Sequence, residues 1–450
     1  MIFFHLKKKF HKYQIFLTVF FLVWSIRLLW IGLYGVDVPF WDQWDGEADS
    51  IYLPILRGDY DLKHLISQHN EHRIFFTRIL SIVIFLLNGH WNTVLVMQIQ
   101  AMIPGAIAGF LAQTFWKINR SYSACLGIAV YFAAPLGTEN MLWGFQSQFY
   151  FMVLFSVISI YYSSFGESNR KFVLSAFVFS VFAFFNIASG ALVAFVISVV
   201  SCLKLIFGLS EDKKKTILIS ISFLLLFVFE IFFTKLPSGH EELHASDYHT
   251  YLNSLSLYMG WPGINKIGFG YYIHGFTFSL FFIILIFKRE KLKNPYVQYL
   301  ISLQIWIYAQ ILLLVYARGG GSEANIANRY LDILSLGPLF TFFILICLLN
   351  RKRIILFANL SFLLLSIVFT NRVIREGFIE RASLFLQREK MLSVLVTAKR
   401  MEAKEKGSSL PFLLAKTPVL ELPYPDATRL HMLLTDPLFD KMMPILSYRE

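Results

Sequence analysis

Residues 13–35 read YQIFLTVFFLVWSIRLLWIGLYG, and this stretch decides the class of fold. It follows a lysine-rich segment, residues 7–12, and its one charged residue is Arg27. An apolar run of roughly 17–25 residues is long enough to cross a bilayer as a helix. The run continues well past a secretory signal and no small-residue cleavage site closes it, so we expect a membrane anchor that is retained.

Similar apolar runs recur along the whole chain of 450 residues, which is 56% hydrophobic and 17% aromatic. The formal charge of +12 comes from Lys and Arg in short clusters between these runs. Such clusters are typical of topology determinants and not of a nucleic-acid surface, so we expect no nucleic acid partner. The pattern predicts an all-α polytopic membrane protein with about eleven spans. The predicted spans lie near residues 13–35, 93–116, 121–138, 147–164, 171–188, 190–208, 216–234, 272–287, 296–316, 331–349 and 354–371.

Residues 74–87 are also apolar, but the run is short and contains Arg78. We interpret it as a helix on the membrane surface, because a span here would divide the basic clusters between the two sides. The N-terminus and the basic clusters are then predicted to be cytoplasmic. The basic clusters are Lys117/Arg120, Arg170/Lys171, Lys213–Lys215, Lys288–Lys293 and Arg351–Arg353.

This topology predicts a transmembrane domain, residues 1–371, with a first external loop at 36–92. A small external C-terminal region follows at 372–450. The informative loops all fall on the external side, so we expect the functional site there.

The first external loop opens with VDVPFWDQWDGEAD at residues 36–49. Clustered carboxylates beside a membrane are typical of a site that needs a base or a cation. The alternative is a solvated acidic loop without a role in chemistry. The acids of this stretch are Asp37, Asp42, Asp45, Glu47 and Asp49.

Further along the same loop, the surface helix is predicted to open at His69-Asn70-Glu71-His72-Arg73. The spacing of the two histidines differs from the i, i+4 pair of helical zinc sites. We therefore expect His69, Glu71, His72 and Arg73 to bind substrate hydroxyls or a phosphate. A helix cap and a divalent metal site remain alternatives. The sequence does not require a metal, so the identity of any cofactor stays undetermined.

Two other external loops carry candidate residues. Glu139 lies where an acid can join those of the first loop across a cavity mouth. The segment 318–330 reads RGGGSEANIANRY, in which glycines allow close approach of the backbone to a ligand. Arg318 and Arg329 match phosphate oxygens, and we expect them, with Tyr330, to bind a phosphate-bearing substrate. A structural ion pair is the alternative.

The order of these features resembles the GT-C superfamily of membrane glycosyltransferases, which use polyprenyl-phosphate sugars. The resemblance covers roughly residues 1–190 and includes Asp42-Gln43, Gly58-Asp59, the surface helix 74–88, Asn88-Gly89 and the span ending at Lys117. It implies that Asp42 is the catalytic acid. This chain departs from the usual paired acids by having Gln43, which leaves Asp45 and Asp37 as rivals.

The resemblance further implies that Glu139 is a second acid and that the reaction transfers a sugar with inversion. The expected partners are a polyprenyl-phosphate sugar donor, a glycan, lipid or protein acceptor, and membrane lipid. The expected location is the bacterial inner membrane, with the active site and the C-terminus in the periplasm. An O-antigen-type polymerase or ligase, and a lipid-linked glycan flippase, remain alternatives.

Overall fold

The computed structural model describes residues 2–166, 169–235, 239–262, 269–321, 326–405 and 410–444. Within these ranges the chain forms helices joined by turns, and no strand. The longer helices are α1 (Ile2–Tyr34), α2 (Phe75–Asn88), α3 (Thr93–Asn119), α4 (Tyr122–Ala133), α5 (Ser147–Ser164), α6 (Arg170–Phe184), α7 (Leu192–Ile206), α8 (Lys213–Phe233), α9 (Tyr248–Gly260), α10 (Phe269–Phe287), α11 (Pro295–Arg318), α12 (Leu336–Leu348), α13 (Lys352–Glu376), α14 (Phe378–Glu405) and α15 (Ala427–Leu434).

Short helical pieces connect or extend these elements. One is a π-helix, Trp44–Tyr52, in the first loop. The short α-helices are Leu53–Arg57, Thr138–Met141, Leu331–Leu334, Leu410–Lys416 and Phe439–Met442. The 3₁₀ turns are Leu62–Leu65, Gly144–Gln146, Ala188–Ala191, His240–Leu243, Arg289–Lys293, Gly319–Gly321, Asn328–Tyr330 and Val419–Glu421.

In the described part of the chain, nine helices are long and apolar enough to cross a membrane. The chain is therefore a polytopic helical membrane protein. The nine segments are Tyr13–Tyr34, Thr93–Asn119, Gly144–Ser164, Ala188–Ile206, Lys213–Phe233, Gly270–Phe287, Pro295–Arg318, Asn328–Leu348 and Lys352–Glu376.

The predicted number of eleven spans stays a prediction. Two of the expected spans, 121–138 and 171–188, correspond to the shorter helices α4 and α6. Helix α4 ends at Ala133, and Ala134 takes an extended conformation (φ −60°, ψ 135°) because Pro135 disfavours helical geometry in the residue before it.

The ends of consecutive helices lie at two opposite faces of the helix bundle. We call one the loop face: it carries residues 36–92, the turn at Thr138–Met141 and the end of α11 at Arg318. The other, the basic face, carries Lys117 at the end of α3 and the connection from Lys288 to Asn294. The loops that the sequence singled out therefore share one face.

The first loop and the C-terminal region share one hydrophobic core at the loop face. Trp44 is fully buried and lies between Trp91 and Phe439, with ring centroids 5.7 and 6.2 Å away. The backbone amide of Trp91 also donates to the carbonyl of Met442 at 2.7 Å. The C-terminal segment that carries Phe439 and Met442 is thus packed into the fold of the first loop.

This packing predicts the effect of truncating Phe439. Phe439→Ala leaves a cavity beside Trp44, and large-to-small changes of this kind cost about 3–5 kcal/mol of stability. We expect a lower melting temperature of the detergent-solubilised protein and faster proteolysis of the C-terminal region. Val419→Ala, at a side chain that is 56% exposed, serves as the control. Equal cleavage rates in both variants would contradict the shared core.

Candidate functional site

The segment from His69 to Arg73 forms a tight turn ahead of α2. The backbone amides and carbonyls of His69 and His72 bond reciprocally at 2.9 Å. Arg78, on the first turn of α2, donates to the carbonyls of Ser67 and Arg73 at 2.6 and 3.2 Å. These contacts hold residues 69–73 as a turn, and the helix begins at Phe75, next to the start at residue 74 that the apolar run predicts.

Arg73 joins this turn to the end of α8. Its guanidinium donates to the carbonyls of Ile66 and Phe233, each at 3.0 Å. It also lies over the Phe233 ring, 4.4 Å from the centroid. The structure therefore gives Arg73 a bridging role between the first loop and a transmembrane helix.

Glu71 and His72 meet the end of α11. The Glu71 carboxylate accepts a hydrogen bond from the Arg318 guanidinium, and His72 Nε2 lies 3.6 Å from the same carboxylate oxygen. His72 Nδ1 accepts from the backbone amide of Ala188 at 3.3 Å. Because Nδ1 accepts, the neutral ring carries its proton on Nε2, which points toward Glu71.

Of the five acids in residues 36–49, four accept hydrogen bonds from neighbouring groups and one does not. Asp37 accepts from the Thr93 amide and hydroxyl at 2.7 and 2.9 Å, at the start of α3. Asp45 accepts from Tyr424 and Arg429 at 2.8 and 3.1 Å. Both carboxylates therefore fasten the first loop to other elements.

Asp49 and Glu47 are also engaged. Asp49 accepts from Arg429 at 2.7 Å, in the same ion-pair group as Asp45. Glu47 is buried on the π-helix and accepts from Gln43 at 2.8 Å and from Ser81. Burial raises the pKa of the Glu47 carboxyl, while the hydrogen bonds from Ser81 and Gln43 oppose that shift.

Asp42 differs from these four acids, since it accepts no hydrogen bond from any residue in the described ranges. Its side chain is 45% exposed, and its Oδ2 lies 3.9 Å from His69 Nε2. The His69 ring packs edge-on against Phe145 at 5.1 Å. A Cβ at Gly46 would lie 2.6 Å from the same Phe145 ring, so only glycine permits this approach.

Arg329 interacts electrostatically with both candidate catalytic acids, Asp42 and Glu139. Its guanidinium lies over the Tyr330 ring, 5.6 Å from the centroid. The backbone amide of Glu139 donates to the Asn328 side chain at 3.1 Å. Asn140 donates to the Arg329 carbonyl at 2.8 Å, so the loops at 139–140 and 328–330 are fixed to each other.

Tyr330 is 6% exposed, and its ring contacts that of Phe149 at 6.1 Å. His72 lies within electrostatic reach of His69, Arg318 and Arg329. Most of the predicted site residues therefore form one cluster, whose members are Asp42, His69, Glu71, His72, Glu139, Arg318, Arg329 and Tyr330. Asp37, Asp45 and Arg73 instead contact Thr93, Arg429 and Phe233.

The glycines before this cluster have a packing role. A Cβ at Gly320 would lie 2.2 Å from the carbonyl oxygen of His244, and one at Gly319 would lie 3.1 Å from the Ala245 side chain. Another part of the chain therefore occupies the space beside these two glycines, and the approach of a ligand to their backbone stays a prediction. Residues 322–325 of the segment lie outside the described residues.

Sequence reasoning missed Arg388, on α14. This side chain is 4% exposed, donates to the Leu142 carbonyl at 2.9 Å and lies over the Phe40 ring at 4.5 Å. Burial lowers its pKa to about 10, and Glu139 opposes the shift. Arg388 lies in a stretch of mixed charges, so no local pattern distinguishes it from a solvated residue.

In the described ranges, no group of three or more His, Cys, Asp or Glu side chains is arranged to hold a metal ion. Comparison with protein-family models, with curated proteins and with solved structures finds no match to this chain.

The environment of His72 predicts a pH dependence of stability. Burial, assisted by Arg318 and opposed by Glu71, lowers the pKa of its imidazole to about 4. Between the ordinary value of about 6.5 and this one, the unfolded chain binds a proton that the folded chain does not. The contribution of His72 to the free energy of unfolding therefore falls as the pH falls through this window, by up to about 1.4 kcal/mol per pH unit.

Thermal unfolding of the detergent-solubilised protein at pH 4 to 7 measures this slope. His72→Gln is expected to flatten it, whereas His249→Gln, at an exposed imidazole, is expected to leave it unchanged. An identical slope in His72→Gln and the unsubstituted protein would show that another group is responsible.

Proposed function

We propose that this protein is a membrane glycosyltransferase of the GT-C type, which transfers a sugar from a polyprenyl-phosphate donor to a glycan, lipid or protein acceptor. The observation that carries the proposal is the set of groups around the Asp42 carboxylate. Among the acids of residues 36–49 it alone accepts no hydrogen bond from the described residues, and it lies beside His69 and within electrostatic reach of Arg329. A half-exposed carboxylate next to a cation suits a base that works beside a phosphate.

In the proposed reaction, the acceptor hydroxyl attacks the anomeric carbon of the donor. Its proton goes to the Asp42 carboxylate as the new bond from acceptor oxygen to carbon forms. The bond from the anomeric carbon to the phosphate oxygen breaks, and its electron pair leaves with the lipid phosphate. A single displacement of this kind inverts the anomeric centre, and the developing negative charge is stabilised by Arg329.

The other residues of the cluster receive supporting roles in this proposal. Arg318 is paired with Glu71, so it orients the turn that presents His69 and His72. Glu139 lies near both Arg329 and Arg388, where it can hydrogen-bond hydroxyls of the acceptor. Asp37 and Asp45 hold the loop in place. The loop face is then the external side of the membrane.

Replacement of the proposed base, Asp42, is expected to slow sugar transfer. Asp42→Asn keeps the shape of the side chain but cannot accept the proton, and general-base catalysis contributes about 10²–10⁴-fold. We expect transfer to fall at least about 100-fold. Asp59→Asn is the matched control, since Asp59 is exposed, lies in the same loop and makes no ion pair with the described residues.

The measurement uses membranes that contain each variant and a panel of tritiated polyprenyl-phosphate hexoses and pentoses. Label that leaves the lipid phosphate for an acceptor is counted, with protein level determined in parallel. Turnover of Asp42→Asn equal to that of the unsubstituted protein, or no transfer from any donor of the panel, would refute the proposal.

The proposed contact between Arg329 and the donor phosphate predicts a second effect, on the affinity for the lipid. Arg329→Gln removes a charged hydrogen-bond donor, and such contacts contribute about 1.5–3 kcal/mol. We expect the dissociation constant for sugar-free polyprenyl phosphate to rise at least about tenfold, measured by native mass spectrometry. Arg372→Gln is the control, because Arg372 lies in an exposed pair with Glu376. Equal weakening in both variants would show that the effect is one of general charge.

A further inference from the structure

A cavity of about 570 Å³ opens at the basic face, opposite the candidate functional site. It lies between the end of α3, the connection from α10 to α11, the end of α12 and the start of α13. Helix α11 has 24 residues, so at about 1.5 Å per residue it separates this cavity from Arg318 by about 36 Å. The glycosyltransferase proposal makes no use of the cavity.

Two lysines supply the positive charge of this cavity, Lys117 and Lys291. Lys291 Nζ donates to the Cys347 carbonyl at 2.6 Å and to the Asn350 side chain at 3.0 Å. Lys117 Nζ donates to the Tyr161 hydroxyl at 3.3 Å. These partners are neutral, so the charge of each ammonium group remains available to an anion.

The nearest carboxylate in the cavity wall is directed to another partner. Glu290 lies 3.1 Å from Lys293 in an exposed pair, and its side chain is 85% exposed. Asn119 and Asn294 add neutral polar groups to the wall. The charge balance inside the cavity therefore favours an anion.

The remaining wall is apolar and continues onto the lipid-facing surface. Val297, Leu349 and Ile355 line the cavity. Beside Ile355, the first turns of α13 expose Leu356 and Phe357, which are 58% and 72% accessible. A ligand that fits this wall has a charged head and an apolar body.

We propose that this cavity binds an anionic phospholipid of the basic-face leaflet, with its phosphate on Lys117 and Lys291 and its acyl chains along α13. Free phosphate shares the head-group chemistry but has no apolar part to cover Val297 and Ile355. Basic pockets between transmembrane helices are suited to lipid head groups, and each nearby Lys contributes about 1 kcal/mol of attraction.

The test measures binding of phosphatidylglycerol, phosphatidylcholine and inorganic phosphate to the purified full-length protein by native mass spectrometry. We expect Lys117→Gln combined with Lys291→Gln to weaken phosphatidylglycerol binding at least about tenfold and to leave phosphatidylcholine unchanged. Lys213→Gln combined with Lys214→Gln is the matched control, because it removes the same charge from exposed positions at the same face.

Lys117→Glu is the second variant, since Lys117 is exposed and its reversal leaves the Lys291 hydrogen bonds in place. It is expected to weaken phosphatidylglycerol binding as strongly as the double variant. Equal loss in the Lys213/Lys214 control, unchanged binding in Lys117→Glu, or displacement of the lipid by millimolar phosphate would each overturn the proposal.

Discussion

The packing of Trp44 between Trp91 and Phe439 joins the two ends of the first loop to the C-terminal region. In a bilayer every backbone polar group must be satisfied within helices, so irregular segments are confined to the faces or to protein-lined cavities. The first loop meets this requirement because the C-terminal region packs over its π-helix. Once Trp44 is buried, the position of Asp42, two residues earlier, is fixed relative to the bundle.

The loop face carries a group of charged side chains that interact with one another. Asp42 and Glu139 both interact electrostatically with Arg329, and Glu139 also interacts with Arg388. Burial of the Arg388 charge is offset by the Leu142 carbonyl and the Phe40 ring. A phosphate that enters this group meets cations that already interact with neighbouring residues, which reduces the cost of ordering them on binding.

Sequence alone predicted the membrane class, because apolar length and basic clusters are local properties. The sequence also predicted that residues 36–92, Glu139 and the segment Arg318–Tyr330 share one face. In the structure, Glu71 pairs with Arg318 and Glu139 contacts Asn328 at this face. The sequence did not predict the contact between Asp45 and Arg429, which are 384 residues apart and share no local pattern. It did not predict where helix α4 ends, because the apolar run continues to Leu136 while the helix stops at Ala133, before Pro135.

The most direct measurement is a cryo-electron microscopy structure with a non-hydrolysable polyprenyl-phosphate sugar bound. We predict density for the lipid phosphate within hydrogen-bond distance of Arg329, about 3 Å, with the anomeric carbon facing Asp42. A well-defined lipid phosphate elsewhere, with none within hydrogen-bond distance of Arg329, would contradict the assignment of this cluster as the active site.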